Sequence, residues 1–168
     1  MADREDIIDT INLYGLAMDT QRWDLFDRVF TADVNADYGA TSHWTDRASF
    51  KRDFGAFHEL FDATQHVMTN HLVTVAGDRA SSHTYGMWRL IRHAAGDPPV
   101  WDGTGYYDDS WLRTADGWRI ARRKCGVVFW TGNPRVQTPM EEIAFQLDLV
   151  SLKTEGQAGR LDYLKAIS

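Results

Sequence analysis

His66 is the residue best suited to move a proton, because a neutral imidazole near pH 7 accepts a proton without a large change in pKa. Such a base needs a partner that fixes its tautomer and stabilises its charged form, and a carboxylate does both. Asp19 is a candidate partner. It ends the opening helical segment, where the helix dipole disfavours an acidic residue and so favours a functional reason for it. The alternative is that His66 merely ends a strand and Asp19 caps the helix.

Two further residues could assist proton transfer. Tyr14, five residues before Asp19, could donate a proton or a hydrogen bond to a leaving group, or it could be a core tyrosine at the edge of a pocket. Arg123 lies in a strand-like segment, where successive residues face opposite sides. Facing inward, it would stabilise developing negative charge. The alternative is a salt bridge to Asp108 or Asp109.

Strand periodicity predicts which side chains accompany His66. Asn70 comes four residues later, which places it on the same face of a strand together with Met68. Asn70 could donate a hydrogen bond to a substrate oxygen, or it could bond the backbone at the rim of the sheet.

Another strand supplies the opposite wall of the predicted pocket. Tyr107, Asp109 and Trp111 share one face of that strand, and we expect this face to line the pocket. Trp88 and Phe129 are predicted wall or core residues. With seven Trp, six Tyr and eight Phe, the chain has enough aromatic side chains to surround a flat, apolar ligand as well as to fill a core.

Composition excludes several classes of site. Cys125 is the only cysteine, so neither an internal disulfide nor a multi-cysteine zinc site is possible. His43, His58, His83 and His93 show no metal-ligand spacing, and we predict no metal. There is no glycine-rich nucleotide loop and no nucleophile elbow.

Charge and hydropathy exclude other partners. The 168 residues carry a formal net charge of −6, without a basic stripe, so nucleic acid is not an expected partner. No apolar run approaches the roughly 20 residues needed to cross a bilayer, and we expect no membrane association. The N-terminus is charged and lacks an apolar signal core, so a cytoplasmic location is the expectation.

The order of predicted elements is helices first, then a long antiparallel meander, then a helix. Long strands joined by tight turns, without crossover helices, indicate an α+β fold with a curved antiparallel sheet packed on helices. We expect one domain over 1–168, with a core over about 5–132 and a C-terminal extension over 133–168. The predicted helices are 5–20, 22–30, 47–61 and 138–151, and the predicted strands are 33–38, 65–76, 79–94, 100–114 and 117–131.

Four stretches, in this order and spacing, resemble the SnoaL-like branch of the nuclear transport factor 2-like superfamily. They are LYGLAMDTQRWD over 13–24 with FTADV over 30–34, TQHVMTN over 64–70, GYYDDSWLR over 105–113, and DGWRIARR over 116–123. The resemblance implies a cone-shaped α+β barrel: a strongly bent sheet wrapped on three N-terminal helices, with a pocket inside. Because the superfamily includes enzymes and plain binding proteins, the fold alone does not give the function.

The resemblance also implies roles for particular residues. Scytalone dehydratase, hexachlorocyclohexane dehydrochlorinase and bile acid 7α-dehydratase are members that the sequence resembles. The dehydratases and the dehydrochlorinase have an Asp late in the first helix and a His at the start of the first long strand, which match Asp19 and His66. Tyr14 matches a tyrosine of the bile acid enzyme, and Arg123 an arginine of the dehydrochlorinase. Val127 stands where the bile acid enzyme has a further arginine, which argues against a bile acid substrate.

Residue chemistry and resemblance together predict a cofactor-independent lyase. It would be of the dehydratase, dehydrohalogenase or retro-aldol (deformylating) type, acting on a hydrophobic aromatic or polycyclic small molecule through Asp19 and His66. The alternatives are an isomerase or cyclase with the same pair, and a non-catalytic small subunit or ligand-binding protein. Family members are often dimers or trimers, so a homodimer or homotrimer is expected.

Overall fold

Three helices form where the apolar periodicity of the sequence predicts them. The computed structural model describes residues 2–39, 42–138 and 149–168. Its N-terminal helices are α1 (Ala2–Thr20), α2 (Phe26–Val29), which follows a 3₁₀ turn over Trp23–Leu25, and α3 (Arg47–His58). Asp46 caps α3, because its side chain accepts a hydrogen bond from the backbone N–H of Ser49 at 2.8 Å.

The buried face of α1 holds this helix against the sheet. Ile7, Ile11, Tyr14 and Met18 recur at spacings of four, three and four residues, and all are buried. Burial of one such side chain stabilises the fold by about 1.5–3 kcal/mol. The helix packs on the first long strand of the sheet, which carries His66.

Six strands form one open, curved sheet in the order β2-β1-β6-β5-β4-β3. They are β1 (Phe30–Asp37), β2 (His43–Trp44), β3 (Ala63–Ala76), β4 (Arg79–Ile91), β5 (Val100–Thr114) and β6 (Gly117–Gly132). The long strands β3 to β6 are the predicted antiparallel meander. The α+β class and the three helices packed on a curved sheet are confirmed.

The sheet is mixed, whereas the sequence predicts a purely antiparallel one. β1 runs parallel to β6, with Asn35 opposite Arg122 and Asp37 opposite Lys124. Parallel neighbours need a long connection, and here β2, α3 and the strands β3 to β5 lie between β1 and β6 along the chain. Turn signals report only pairs that are adjacent along the chain, so they could not reveal this one.

Residues 149–168 pack on the outer face of the sheet, which is the face opposite α1, α2 and α3. They contain two short helices, α4 (Leu152–Gln157) and α5 (Asp162–Ile167). Glu155 of α4 accepts a hydrogen bond from Lys124 of β6 at 2.6 Å. Asp108 of β5 accepts hydrogen bonds from the first backbone N–H groups of α5. The C-terminal segment is therefore fixed largely by charged contacts.

Most of the predicted helix over 138–151 lies outside the described residues. Its described ends are not helical, and Leu149 forms a parallel bridge with Val127 instead. Among the helices that the structure describes, none is both long and apolar enough to span a membrane.

Candidate active site

The side chains of Asp19 and His66 are hydrogen-bonded to each other. Nδ1 of His66 lies 2.7 Å from Oδ1 of Asp19, and the His66 backbone N–H donates to Oδ2 at 2.9 Å. Thr64 donates its hydroxyl to Oδ1, also at 2.9 Å. The carboxylate is thus held by three donors from the start of β3. The His66 side chain is only 4% exposed.

The C-terminus of α1 turns Asp19 toward β3. The helix ends in a Schellman motif, in which Gln21 N–H donates to the Met18 carbonyl and Arg22 N–H donates to the Ala17 carbonyl. Gln21 takes the left-handed conformation, with φ of 52°, that this motif requires at its end.

Asp19 is an unfavourable residue for a helix C-terminus, and its hydrogen bonds offset that cost. Burial would raise the pKa of Asp19, but hydrogen bonds from His66 and Thr64 hold it below its usual value. The group is therefore an ionised carboxylate near pH 7. An ionised Asp19 accepts the His66 Nδ1 proton, which leaves the lone pair of the imidazole on Nε2.

His66 borders a cavity of about 410 Å³ between the helices and the inner face of the sheet. Aromatic side chains dominate its wall: Trp44, Phe54, Phe57, Trp88, Trp101 and Tyr107. No lysine or arginine of the described residues lines it. Small-molecule sites have this character: they are concave and mostly apolar, with few polar groups.

The buried Tyr14 and Tyr107 and the half-buried Tyr38 meet at the cavity wall. The hydroxyl oxygens of Tyr14 and Tyr38 lie 3.0 Å apart, and the Trp88 indole N–H donates to the Tyr107 hydroxyl at 2.6 Å. Burial raises the pKa of Tyr14, while Arg123 and hydrogen bonds from Tyr38 and Tyr107 oppose that rise. Burial raises the pKa of Tyr38 and Tyr107 well above the usual value. Arg123 and these hydrogen bonds therefore favour ionisation of Tyr14, whereas burial disfavours it.

Arg123 lies behind these tyrosines and does not line the cavity. Its guanidinium carbon is 4.3 Å from the ring centroids of both Tyr14 and Tyr107. Its Nε and Nη2 donate to the Asp109 carboxylate at 2.8 and 2.7 Å, and both side chains are fully buried. Arg123 and Asp109 therefore form the salt bridge that the sequence offered as the alternative, and neither side chain lines the cavity.

Trp88 is held flat against the sheet by three glycines. A Cβ at Gly86, Gly103 or Gly105 would lie 2.9, 3.1 or 2.7 Å from an atom of the Trp88 ring. The indole occupies the space that side chains would fill there, and its N–H is thereby directed at Tyr107. Trp88 and Tyr107 line the cavity, as the sequence predicts for the pocket wall.

Two other predicted wall residues, the half-buried Met68 and the buried Trp111, lie away from the cavity. Met68 packs beneath α1, where its Cγ would be 3.5 Å from a Cβ at Gly15. Trp111 is buried further along β5 and donates its indole N–H to Ser82 at 2.9 Å. Both side chains face inward, as predicted, but the packing of α1 on the sheet separates them from the cavity.

β-Bulges place the last two predicted wall residues, Asn70 and Phe129, outside the cavity. The pairing of β3 with β4 shifts by one residue between Thr69 and Leu72, and Asn70 there is exposed with φ of 53°. A similar shift between β5 and β6 places Val127 at the cavity and Phe129 outside, 57% exposed. One extra residue in a strand reverses the alternation of faces beyond it. Asn70 and Phe129 therefore have no contact with the cavity.

Several cavity residues were not among the predicted site residues. Tyr38 ends the predicted strand over 33–38, two residues after the buried Ala36, so strand alternation could have placed it inward. His58 follows Phe50 and Phe54 at helical spacing, and its place on an apolar face was a signal that it would be buried. Within the described residues, no group of three or more His, Cys, Asp or Glu side chains could hold a metal ion.

Comparison with known proteins confirms the resemblance seen in the sequence. Residues 1–124 match the family described as SnoaL-like domain. The uncharacterized protein Rv2910c of Mycobacterium tuberculosis is 34% identical over 124 residues, which are 73% of this chain and 84% of that protein.

Solved structures have the same fold. The Kfla4162 protein of Kribbella flavida has a TM-score of 0.76 and 29% identity, over 82% of this chain and 98% of that one. The "Putative Scytalone Dehydratase" of Novosphingobium aromaticivorans has a TM-score of 0.70 and 18% identity, over 78% of this chain and 91% of that one.

Proposed function

We propose that this chain, which belongs to the SnoaL-like domain family, is a cofactor-independent lyase for an uncharged, largely aromatic small molecule. One observation carries the proposal: a carboxylate-supported imidazole borders an aromatic cavity. Oδ1 of Asp19 lies 2.7 Å from Nδ1 of His66, and the His66 ring lines about 410 Å³ of space. A proton acceptor with a fixed tautomer, in a mostly apolar site, is the central requirement for breaking a C–H bond.

His66 is the proposed base. Because Nδ1 is bonded to Asp19, Nε2 is the nitrogen that takes the substrate proton. The resulting imidazolium is stabilised by the Asp19 carboxylate, as in catalytic triads. A well-placed general base accelerates such a step by about 10²- to 10⁴-fold.

Tyr14 is the proposed hydrogen-bond donor to the substrate. In the arrangement where Tyr38 donates to Tyr14, the proton of Tyr14 is left for a substrate oxygen. Arg123, 4.3 Å from the Tyr14 ring centroid, supports negative charge on that phenol without touching the substrate. This indirect role replaces the direct contact that the sequence suggested for Arg123.

The elimination needs only these groups. His66 Nε2 removes a proton from the carbon beside a substrate carbonyl, and the carbonyl oxygen takes up the charge under the Tyr14 hydrogen bond. The electron pair then forms a C=C bond and expels a hydroxyl group from the β carbon. That hydroxyl takes the proton from the His66 imidazolium and leaves as water, which restores the starting base.

The cavity wall supports an aromatic substrate that carries no carboxylate or phosphate group. Rings such as Trp44, Phe54 and Trp101 offer stacking surfaces, and no described cationic side chain lines the wall to bind a carboxylate or phosphate. The Novosphingobium protein of the same fold is named for dehydration, which makes loss of water the first reaction to test.

The test uses a β-hydroxytetralone and its β-chloro analogue in D₂O, with mass spectrometry of substrate and product. The wild type should release water or chloride and exchange the proton beside the carbonyl. His66→Gln should lower both rates at least about 100-fold, since it removes the base. His93→Gln is the matched control, because that histidine is 74% exposed and pairs with Asp62 on the surface.

The outcomes separate the alternatives. Turnover by His66→Gln at the wild-type rate, with an unchanged melting temperature, would refute the role of His66. A product that retains the hydroxyl or chloride group would replace the lyase with an isomerase that uses the same base. Binding of both compounds without proton exchange or product would indicate a ligand-binding protein.

A further inference from the structure

A second imidazole lines the cavity, and the proposed elimination does not use it. His58 ends α3, is 3% exposed, and its ring centroid lies 6.4 Å from that of His66. A buried histidine at a cavity wall offers either a hydrogen-bond donor or an acceptor. Which of the two it offers depends on its tautomer.

The tautomer of His58 is fixed by its own helix. Nδ1 lies 2.7 Å from the backbone carbonyl oxygen of Phe54, and since a carbonyl only accepts, Nδ1 carries the proton. Nε2 is then an acceptor only, and within the described residues it receives no hydrogen bond.

Surrounding rings hold the imidazole in this orientation. The Phe54 ring stacks on it at 5.4 Å between centroids, and the rings of Trp23, Phe57 and Phe61 meet it edge-on at 5.2 to 5.5 Å. Rotation of the imidazole would break the hydrogen bond to the Phe54 carbonyl and disturb this packing. The acceptor is therefore preorganised.

His58 stays neutral near pH 7. Burial lowers the pKa of His58 to about 4; the hydrogen bond to Phe54 and the charge of Asp19 oppose this effect, and His66 adds to it. Asp19 on α1 and His66 on β3 are the two titratable groups whose charges act on His58. A neutral ring with its proton on Nδ1 cannot donate to a substrate carbonyl.

We propose that His58 determines specificity by accepting a hydrogen bond from a hydroxyl group of the substrate. The cavity would then prefer hydroxylated aromatic compounds to their ether analogues. A site built to bond a hydroxyl discriminates against an analogue that lacks it, because its own polar group is left unpaired. This inference rests on the proposed function in one respect: the substrate is taken to occupy the same cavity. It does not depend on which reaction occurs there.

Calorimetric titration with β-naphthol and β-methoxynaphthalene tests the proposal, because methylation of the hydroxyl removes the hydrogen-bond donor. The wild type should bind the naphthol about five- to tenfold more tightly, the ratio expected for one hydrogen bond. His58→Phe keeps a ring beside Phe54 but removes the acceptor, so the ratio should fall to about one. His66→Gln removes the other imidazole acceptor of the cavity and should keep the preference; His93→Gln, at a histidine that is 74% exposed, is the control.

Several results would overturn the proposal. They are an unchanged ratio in His58→Phe, loss of the ratio in His66→Gln instead, and failure of the wild type to bind either compound or to prefer the naphthol. The titration measures binding without turnover. A protein that does not catalyse the elimination can therefore still prefer the naphthol, so failure of the proposed reaction and failure of this inference are distinguishable.

A measurement on the wild type covers the case in which His58→Phe does not fold. With ¹⁵N-labelled histidine, the Nε2 resonance of His58 should move on addition of β-naphthol and stay in place with β-methoxynaphthalene. An Nε2 resonance that responds equally to both probes, or to neither, contradicts the assignment.

Discussion

Asp109→Asn should destabilise the protein far more than removal of an ordinary surface ion pair. Asp109 and Arg123 are both fully buried and joined by two hydrogen bonds of 2.8 and 2.7 Å. The substitution leaves a buried guanidinium without a counter-charge, and Nη1 of that group already lacks a hydrogen-bond partner. Breaking a buried pair in this way costs about 3–5 kcal/mol.

Arg123 cannot escape this cost by losing its proton, because a guanidinium keeps its charge in proteins. Burial would lower the pKa of Arg123, but the Asp109 carboxylate raises it well above the usual value. The guanidinium therefore stays charged and depends on Asp109. Its position over the Tyr14 and Tyr107 rings also means that its displacement would disturb the cavity wall.

Asp102→Asn is the matched control. Asp102 lies on the same strand, and Arg89 donates to it through two bonds of 2.8 and 3.0 Å. These side chains are 53% exposed for Arg89 and 34% for Asp102. An exposed pair of the same geometry contributes only about 0–1 kcal/mol. Comparison of the two variants thus isolates the effect of burial.

The assay is urea and thermal unfolding followed by circular dichroism. For a chain of this size a loss of 1 kcal/mol lowers the melting temperature by about 2–4 °C, so Asp109→Asn should lower it by about 6–20 °C. The double variant Asp109→Leu/Arg123→Met should recover most of the loss, because it removes both charges. Equal losses in Asp109→Asn and Asp102→Asn would refute the reasoning.

Three further predictions follow from local geometry. Because the pKa of Asp19 is held below its usual value, the stability it contributes is complete above that value and is lost as the pH falls through the folded pKa. The melting temperature of Asp19→Asn should therefore fall less than that of the wild type as the pH is lowered. Hydrogen bonds from Arg160 and Lys124 lower the pKa of Glu155 from 4.5 to about 2, so the contact of α4 with the sheet should hold above 4.5 and be lost toward 2. Hydrogen exchange of residues 152–167 reports that loss, and Glu155→Gln should show it at neutral pH. Gly105→Ala should cost about 3 kcal/mol or more in urea unfolding, because its Cβ would lie 1.9 Å from a backbone oxygen of β6.

Each of these has a contrary result. An equal fall of the melting temperature with acid in Asp19→Asn and the wild type would contradict the predicted contribution of Asp19 to the pH dependence of stability. Neutral-pH protection of residues 152–167 that survives Glu155→Gln would show that apolar contacts hold the segment. For the glycine, the control is Gly156→Ala in α4, where a Cβ meets only Leu164 at 3.6 Å and helix propensity favours alanine. Equal stability of the two alanine variants would contradict the steric argument.

The helices and the meander could be predicted because their signals are local. The apolar spacing of Ile7, Ile11 and Met18 predicts α1, and the Gly77-Asp78 turn predicts the β3–β4 hairpin. The parallel pairing of β1 with β6 could not be predicted, because the pairing partners lie far apart in the chain. The shifts at Asn70 and before Phe129 also escaped prediction, since a bulge inserts one residue without a distinctive sequence pattern.

The sequence by itself determined the kinds of side chain available: an imidazole at the start of a long strand, a carboxylate at the end of a helix, and many aromatic rings. Only the tertiary structure decided their neighbours. It joined Asp19 to His66, placed Arg123 behind the tyrosines rather than in the cavity, and directed the acceptor of His58. The physical reason is that periodicity fixes which face a residue occupies, whereas contacts across the fold depend on how helices and a bent sheet pack together.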